Sequence, residues 1–164
     1  SGTSWMDREW STSVLGKDQV GWDWFALQLS DGSELMFFQL RNADPATAAF
    51  SRGTLVRPDG ETLRLKQDAV HLEVQEYWRS PRSAGDYPAR WRLQIPAENL
   101  GVEIIPYIPD QELSLSMSYW EGAVRVHGSV HGKMLQGHGY AELTGYYKRT
   151  ESSPGMSPGI GRSR

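Results

Sequence analysis

Apolar and polar positions alternate with a period of two through most of this chain, and helical periodicity is scarce. The clearest unit is Trp22-Asp23-Trp24-Phe25-Ala26-Leu27-Gln28-Leu29, then Ser30-Asp31-Gly32-Ser33, then Glu34-Leu35-Met36-Phe37-Phe38-Gln39-Leu40-Arg41. Asp-Gly between two apolar runs predicts a tight hairpin. With Asp31-Gly32 as a two-residue loop, Leu29 faces Glu34, Leu27 faces Met36, Phe25 faces Phe38 and Asp23 faces Leu40 on one face. Trp22, Trp24, Ala26 and Gln28 then occupy the other, opposite Arg41, Gln39, Phe37 and Leu35.

Further runs read as strands at 54–56 and 62–65 around Asp59-Gly60, and then at 70–78, 90–95, 102–105, 113–119, 123–130 and 137–147. The Ser-, Pro- and Gly-rich stretch 80–88 reads as a loop, and Asp44-Pro45 opens the one plausible helix, 44–50. About ten short strands with little helix predict an all-β, antiparallel up-and-down barrel. The composition shifts after Tyr147, so we expect one barrel domain over 1–149 and a disordered Ser/Gly/Pro tail over 150–164.

Charge narrows the function classes. A net charge of -3 gives no basic field to attract nucleic acid. No apolar stretch is long enough for a spanning helix, so no membrane span is expected. Zero Cys excludes disulfides and thiolate metal sites, and the four His show no convincing metal-ligand spacing. The start, Ser1-Gly2-Thr3, reads as trimmed and not as a signal peptide.

Seven Trp are too many for generic filler. Six of them (Trp5, Trp10, Trp22, Trp24, Trp78 and Trp120) lie within two residues of an Asp or Glu, and only Trp91 does not. This reads as indole–carboxylate neighbours, either hydrogen-bonded to hold the barrel or lining an acidic apolar pocket.

Three constellations carry candidate chemistry. In Trp5-Met6-Asp7-Arg8-Glu9-Trp10, a strand would put Trp5, Asp7 and Glu9 on one face. A carboxyl near aromatic surface tends to stay protonated and can donate a proton; the alternative is an exposed face with paired acids. Asp23 and Glu76 each interrupt an apolar stripe, and sit either at a wet barrel mouth or inside with a partner. In Gly137 to Tyr146, His138, Tyr140, Glu142, Thr144 and Tyr146 share one face, with Gly139, Ala141, Leu143 and Gly145 behind them. That polar face is a ligand wall, with His138 and Glu142 a possible acid–base pair, or a solvated surface. The small residues behind it allow close approach of a neighbouring strand.

Trp5-Met6-Asp7-Arg8-Glu9-Trp10, Gly21-Trp22-Asp23-Trp24-Phe25, Tyr77-Trp78-Arg79-Ser80-Pro81, Tyr87-Pro88, Tyr119-Trp120-Glu121-Gly122-Ala123 and Gly139 to Tyr146 together resemble the AttH-type lipocalin-like family. That family includes carotenoid 1,2-hydratase (hydroxyneurosporene synthase). The resemblance runs from about Gly2 to Tyr147 and covers the C-terminal part of the family pattern. It implies a lipocalin-like barrel, an apolar isoprenoid-like ligand, and an N-terminal barrel as partner outside this chain. In the hydratase branch it implies water addition to an isoprenoid C=C bond without metal or organic cofactor. Asp7 matches the proposed proton donor, and Trp5 stands where the hydratases carry Tyr. Trp5, Glu9, Trp22, Asp23, Trp24, Tyr140 and Glu142 are the expected ligand-binding set. Binding without chemistry, hydratase or cyclase activity, and a structural barrel packed on its missing partner all remain open. A secreted or cell-envelope location is what the resemblance suggests.

Overall fold

The computed structural model describes Ser4, Met6 and residues 15–44, 50–114 and 118–147. Asp7, Trp5, Glu9, residues 45–49 of the expected 44–50 helix and the expected 150–164 tail lie outside the described residues, while Phe50, the end of that expected helix, starts a strand. Among the described residues, ten strands form one antiparallel sheet: β1 Gln19–Leu29, β2 Glu34–Asn42, β3 Phe50–Val56, β4 Thr62–Leu65, β5 His71–Arg79, β6 Asp86–Ile95, β7 Leu100–Pro106, β8 Glu112–Ser114, β9 Ser118–Val130 and β10 Lys133–Thr144. Two short 3-10 turns, Gln67–Ala69 and Pro96–Glu98, lie between strands. The strand order is β4-β3-β2-β1-β10-β9-β7-β6-β5, with β8 added on β9. This is the expected up-and-down all-β architecture, with the sheet curled into a half-barrel. Its first and last strands are central neighbours, and β4 and β5 end the order.

The curl brings the two wings together. Phe25 of β1 meets Trp91 of β6 edge-on at 5.3 Å between ring centroids, and Trp91 meets Trp120 of β9 at 6.4 Å. Leu27, Leu35, Phe37, Leu93, Ile104 and Leu143 pack around them, all fully buried. Burying a side chain of this size contributes roughly 1.5–3 kcal/mol each. The barrel interior is therefore filled by its own side chains at this level.

The first hairpin differs from the expected register by one residue. Leu29 N–H donates to Ser33 O at 2.9 Å and Gly32 N–H to Leu29 O at 3.0 Å, so the loop is Ser30-Asp31-Gly32. Gly32 takes φ +88°, and Asp31 Oδ1 accepts from both the Ser33 N–H (3.0 Å) and hydroxyl (2.6 Å). This is the three-residue hairpin whose last loop residue is left-handed. The observed pairs are Leu27 with Leu35, Phe25 with Phe37 and Asp23 with Gln39, and not with Met36, Phe38 and Leu40. Leu35, Phe37 and Gln39 thus share the inner face with Asp23, while Met36, Phe38 and Leu40 share the outer face with Trp22 and Trp24. Arg57-Pro58-Asp59-Gly60-Glu61 repeats the same turn, with Gly60 at φ +88°.

Other boundaries also move. The 113–119 run supplies two paired strands, β8 and the start of β9, with Leu113 opposite Tyr119. The 80–88 loop shortens, because Ser80 N–H bonds Gly85 O at 2.9 Å and Arg79 pairs with Asp86 at 2.9 Å. Tyr87 and Pro88 therefore belong to β6. Pro88 costs no ladder bond to β7, whose pairing with β6 begins only at Trp91. A register shift between Val74 and Glu76 turns Glu76 outward, where Arg90 pairs with it at 2.8 Å.

Candidate functional site

Two faces of β1 carry different chemistry. On the inner face, Asp23 is buried, with the carboxylate accepting from Gln39 Nε2 (3.0 Å), Arg41 Nε (3.2 Å) and the Tyr146 hydroxyl (2.8 Å). Burial pushes its pKa up, opposed chiefly by the Arg41 charge and then by these bonds. So Asp23 is an interior acid with partners, and not a mouth residue. Arg41 also donates to the Thr144 carbonyl and lies 3.7 Å over the Tyr146 ring. A Cβ on Gly21 would collide with that carbonyl, so glycine before Trp22 is needed for the contact.

Tyr146 does not stay on the face of Tyr140 and Glu142, as simple alternation implied. Gly145 adopts φ +74° after β10 ends, and Tyr146 turns inward to Asp23. A second buried carboxylate lies beside it. Glu112 accepts from the Tyr87 hydroxyl at 2.7 Å and from the Ser80 hydroxyl, with Arg82 Nε at 3.6 Å. Burial alone would raise its pKa, but bonds from Ser80, Ser83 and Tyr87, together with Arg82, outweigh it and leave it lowered. Sequence reading did not single out Glu112, since its partners lie on other elements, 25 and 32 residues away. Its place as an acid directly before an alternating run was the only signal.

The outer face of the central strands forms a cleft of about 560 Å³. Cross-strand partners of β1, β10 and β9 line it: Trp24 with Glu142, then Ala26–Tyr140–Ala123, then Gln28 with His138. Direct partners on antiparallel strands project to the same side. The middle row places Tyr140 between two alanines, which makes the trough. Tyr107 stands at the rim, its N–H donating to Ala123 O at 3.1 Å, and Ser4 also lines the cleft. Gly139 sits behind Tyr140, where any Cβ would collide with the Ala26 carbonyl oxygen. Glycine here lets β10 press against β1, the close approach expected of this segment.

Trp22 Nε1 donates to Glu142 Oε1 at 2.6 Å, and its ring meets Tyr119 edge-on at 6.1 Å. The Tyr140 hydroxyl donates to Glu121 at 3.1 Å, and burial first, then Glu121, pushes its pKa up to about 12. Trp22, Trp24, Tyr140 and Glu142 thus gather on one face, and Asp23 is separated from them by the sheet. Tyr140 intervenes between His138 and Glu142 along β10. The sequence neighbours Trp22–Asp23 and Trp120–Glu121 are not hydrogen-bond partners, because adjacent strand residues point to opposite faces. The Trp120 N–H instead donates to Pro109 O at 2.7 Å. Trp91, the one Trp without a nearby acid, has a buried Nε1 with no partner among the described residues. No group of three or more His, Asp or Glu among the described residues could hold a metal. No helix among them is long and apolar enough to cross a membrane.

The AttH-like family model matches residues 1–146. This chain belongs to the AttH-like family. The AttH-like chain is 27% identical to kievitone hydratase of Fusarium solani subsp. phaseoli over 91% of its own length and 42% of that protein. The crystal structure of an AttH protein from Nitrosomonas europaea superposes with a TM-score of 0.75 at 35% identity, covering 85% of this chain and 42% of that one. Kievitone hydratase from Nectria haematococca shares the fold, with a TM-score of 0.65 at 24% identity over 79% and 40% of the two chains. The AttH-like chain thus spans about 42% of the length of the curated relative it matches.

Proposed function

We propose that this chain is the C-terminal barrel of a two-barrel AttH-like protein, and that its outer-face cleft binds an apolar, isoprenoid-like small molecule. The carrying observation is the cleft itself: about 560 Å³, with Trp24, Tyr107 and Tyr140 around an alanine-lined trough. That size and aromatic lining suit a small-molecule site. Ser4 lines the cleft, and Trp5 and Asp7 follow it within three residues. The N-terminal barrel is the proposed partner, and a secreted or cell-envelope location belongs to the same reading. The test is quenching of Trp fluorescence by carotenoid precursors, retinoids and fatty acids. Quenching that is lost in Tyr140→Ala supports the cleft, and none with any ligand overturns it.

A second reading is favoured by the likeness to kievitone hydratase, a protein whose name states water addition. Here Asp7, protonated, gives its proton to the less substituted carbon of a terminal isoprenoid C=C bond. The electron pair of the C=C bond forms the new C–H bond and leaves a tertiary cation. Aromatic faces such as Trp5 and Trp24 stabilise that cation. Water adds to it and releases a proton, which restores the acid. No metal or organic cofactor enters this scheme. An Asp7→Asn variant of the two-barrel protein that kept full turnover of an acyclic carotenoid would sink the role of Asp7.

A further inference from the structure

β4 is shorter than the strand it pairs with. It runs beside β3 only from Gly53 to Val56, so on that side no strand pairs with Ser51 among the described residues. Gln67, Val70 and the start of β5 stand across from Ser51, and a cleft of about 310 Å³ lies between them. It shares no lining residue with the outer-face cleft. One water takes about 30 Å³ of liquid, so this space is far larger than a single bridging water needs. It falls at the small end of ligand sites.

Ser51 gives the cleft its chemistry. It lies on the inner face as the cross-strand partner of Gln39, itself the partner of Asp23. Ser51 is only 5% exposed, yet its hydroxyl makes no hydrogen bond among the described residues. Folded proteins rarely leave a buried hydroxyl unpaired, because the lost hydration is not made good. The Gln39 amide nitrogen is held by Asp23 at 3.0 Å, which leaves its carbonyl oxygen as an acceptor. Gln67 and Gln94 add two exposed side-chain amides with no partner among the described residues, and His71 is the cross-strand neighbour of Gln94. Glu73 and Arg92 are cross-strand partners of opposite charge, and Arg92 is also drawn to Glu103 at 3.8 Å. Phe37 and Leu72 supply an apolar wall.

We propose that this cleft is a separate binding site for a neutral ring-shaped polyol, the chemistry of a monosaccharide or a cyclitol. Hydroxyl groups donate and accept at once, which is what a serine hydroxyl and primary amides offer in return. The balanced pair Glu73–Arg92 leaves no net charge to select a cation or an anion. The apolar wall suits the C–H face of a saturated ring. Ser51 and Gln39 bind from the buried side, and Gln67 and Gln94 from the rim. The site does not depend on the outer-face cleft, and no bond is made or broken in it.

The test titrates the chain with D-glucose and myo-inositol, and with cyclohexanol, cyclohexylamine and cyclohexanecarboxylate as ring controls. Calorimetry reads affinity, and heteronuclear NMR reads the side-chain amide signals of Gln67 and Gln94. At least one polyol is expected to bind about fivefold or more tightly than every cyclohexyl control and to shift both amides. Ser51→Ala and Gln94→Ala are each expected to weaken that binding about fivefold. Ser51→Ala removes an unpaired hydroxyl, so it is expected to melt no lower than the unaltered chain, and its loss of binding is then not a loss of fold. Among binding polyols, cellobiose tighter than glucose makes the guest the end of a glycan and cellobiose weaker makes it a free sugar; either upholds the class. If neither glucose nor myo-inositol binds, or a charged control binds more tightly, the polyol site is overturned. Polyol binding that both variants leave unchanged overturns it as well.

Discussion

Tyr146 and Tyr87 lie with ring centroids 5.7 Å apart, and each gives its hydroxyl hydrogen bond to a different buried carboxylate. Tyr146 serves Asp23 on β1, and Tyr87 serves Glu112 on β8. The tilted pair, 45° between ring planes, therefore joins two acidic centres contributed by distant parts of the chain. Arg41 completes one centre and Arg82 the other.

Removing Arg41 leaves Asp23 buried with two neutral donors. Arg41→Met is expected to cost about 3–5 kcal/mol, the range for breaking a buried pair. Tyr146→Phe is expected to cost about 1–3 kcal/mol, since it removes one donor from a charged acceptor. Urea unfolding of both variants checks the order.

The two carboxylates make opposite contributions to pH dependence. Glu112 has a lowered pKa when folded, so it binds fewer protons than in the unfolded chain just below its ordinary value of 4.5. Its contribution is present above that value and is lost as pH falls through the folded pKa. Asp23 has a raised pKa when folded, so the folded state holds the extra proton above 3.8. Its contribution falls as pH rises from 3.8 through the folded value. Glu112→Gln should flatten the acid limb of a stability–pH curve, and Asp23→Asn should remove a decline toward neutral pH. Urea midpoints from pH 3 to pH 8 measure both.

Glycines on the same sheet should separate by what lies behind them. Gly139→Ala drives a methyl into the Ala26 carbonyl oxygen and Leu27, and should cost about 1–3 kcal/mol or more. A Cβ on Gly101 meets nothing within 4 Å, so Gly101→Ala should lie within about 0.5 kcal/mol of the unaltered chain. Thermal melts followed by circular dichroism distinguish them.

Trp22→Phe keeps an aromatic ring against Tyr119 and deletes the N–H that holds Glu142. A cost of about 1–2 kcal/mol is expected for a bond to a charged acceptor at a part-buried site. Tyr140→Phe, which frees Glu121 at an exposed position, should cost less. Comparison of their denaturation midpoints tests the ranking.

The strands were legible because alternation reports directly on which residues face the core. Register was not, because Asp31-Gly32 admits a two-residue or a three-residue loop, and Ser33 decides by bonding Asp31. That single residue hid the partners of Asp23, since Gln39 and Arg41 move to its face only in the observed register. Tyr146 was hidden by Gly145, whose positive φ breaks the alternation. The candidate cleft was half visible: Trp24, Tyr140 and Glu142 could be read from their strands. Ala123 required the β9–β10 pairing, which sequence alone did not specify.

The pairing of β1 with β10 also sets an order on synthesis. The wing β1–β4 and the wing β5–β9 each consist of contacts between strands close in sequence, and can form as each emerges from the ribosome. The seam between them waits for residues 133–144, since only β10 bonds to both β1 and β9. Until then β1 presents an unpaired edge carrying Phe25 and Leu27, an exposed template for another chain. A nascent chain stalled before β10 therefore carries its stickiest strand uncovered, and chaperone demand should peak just before the last strand is made.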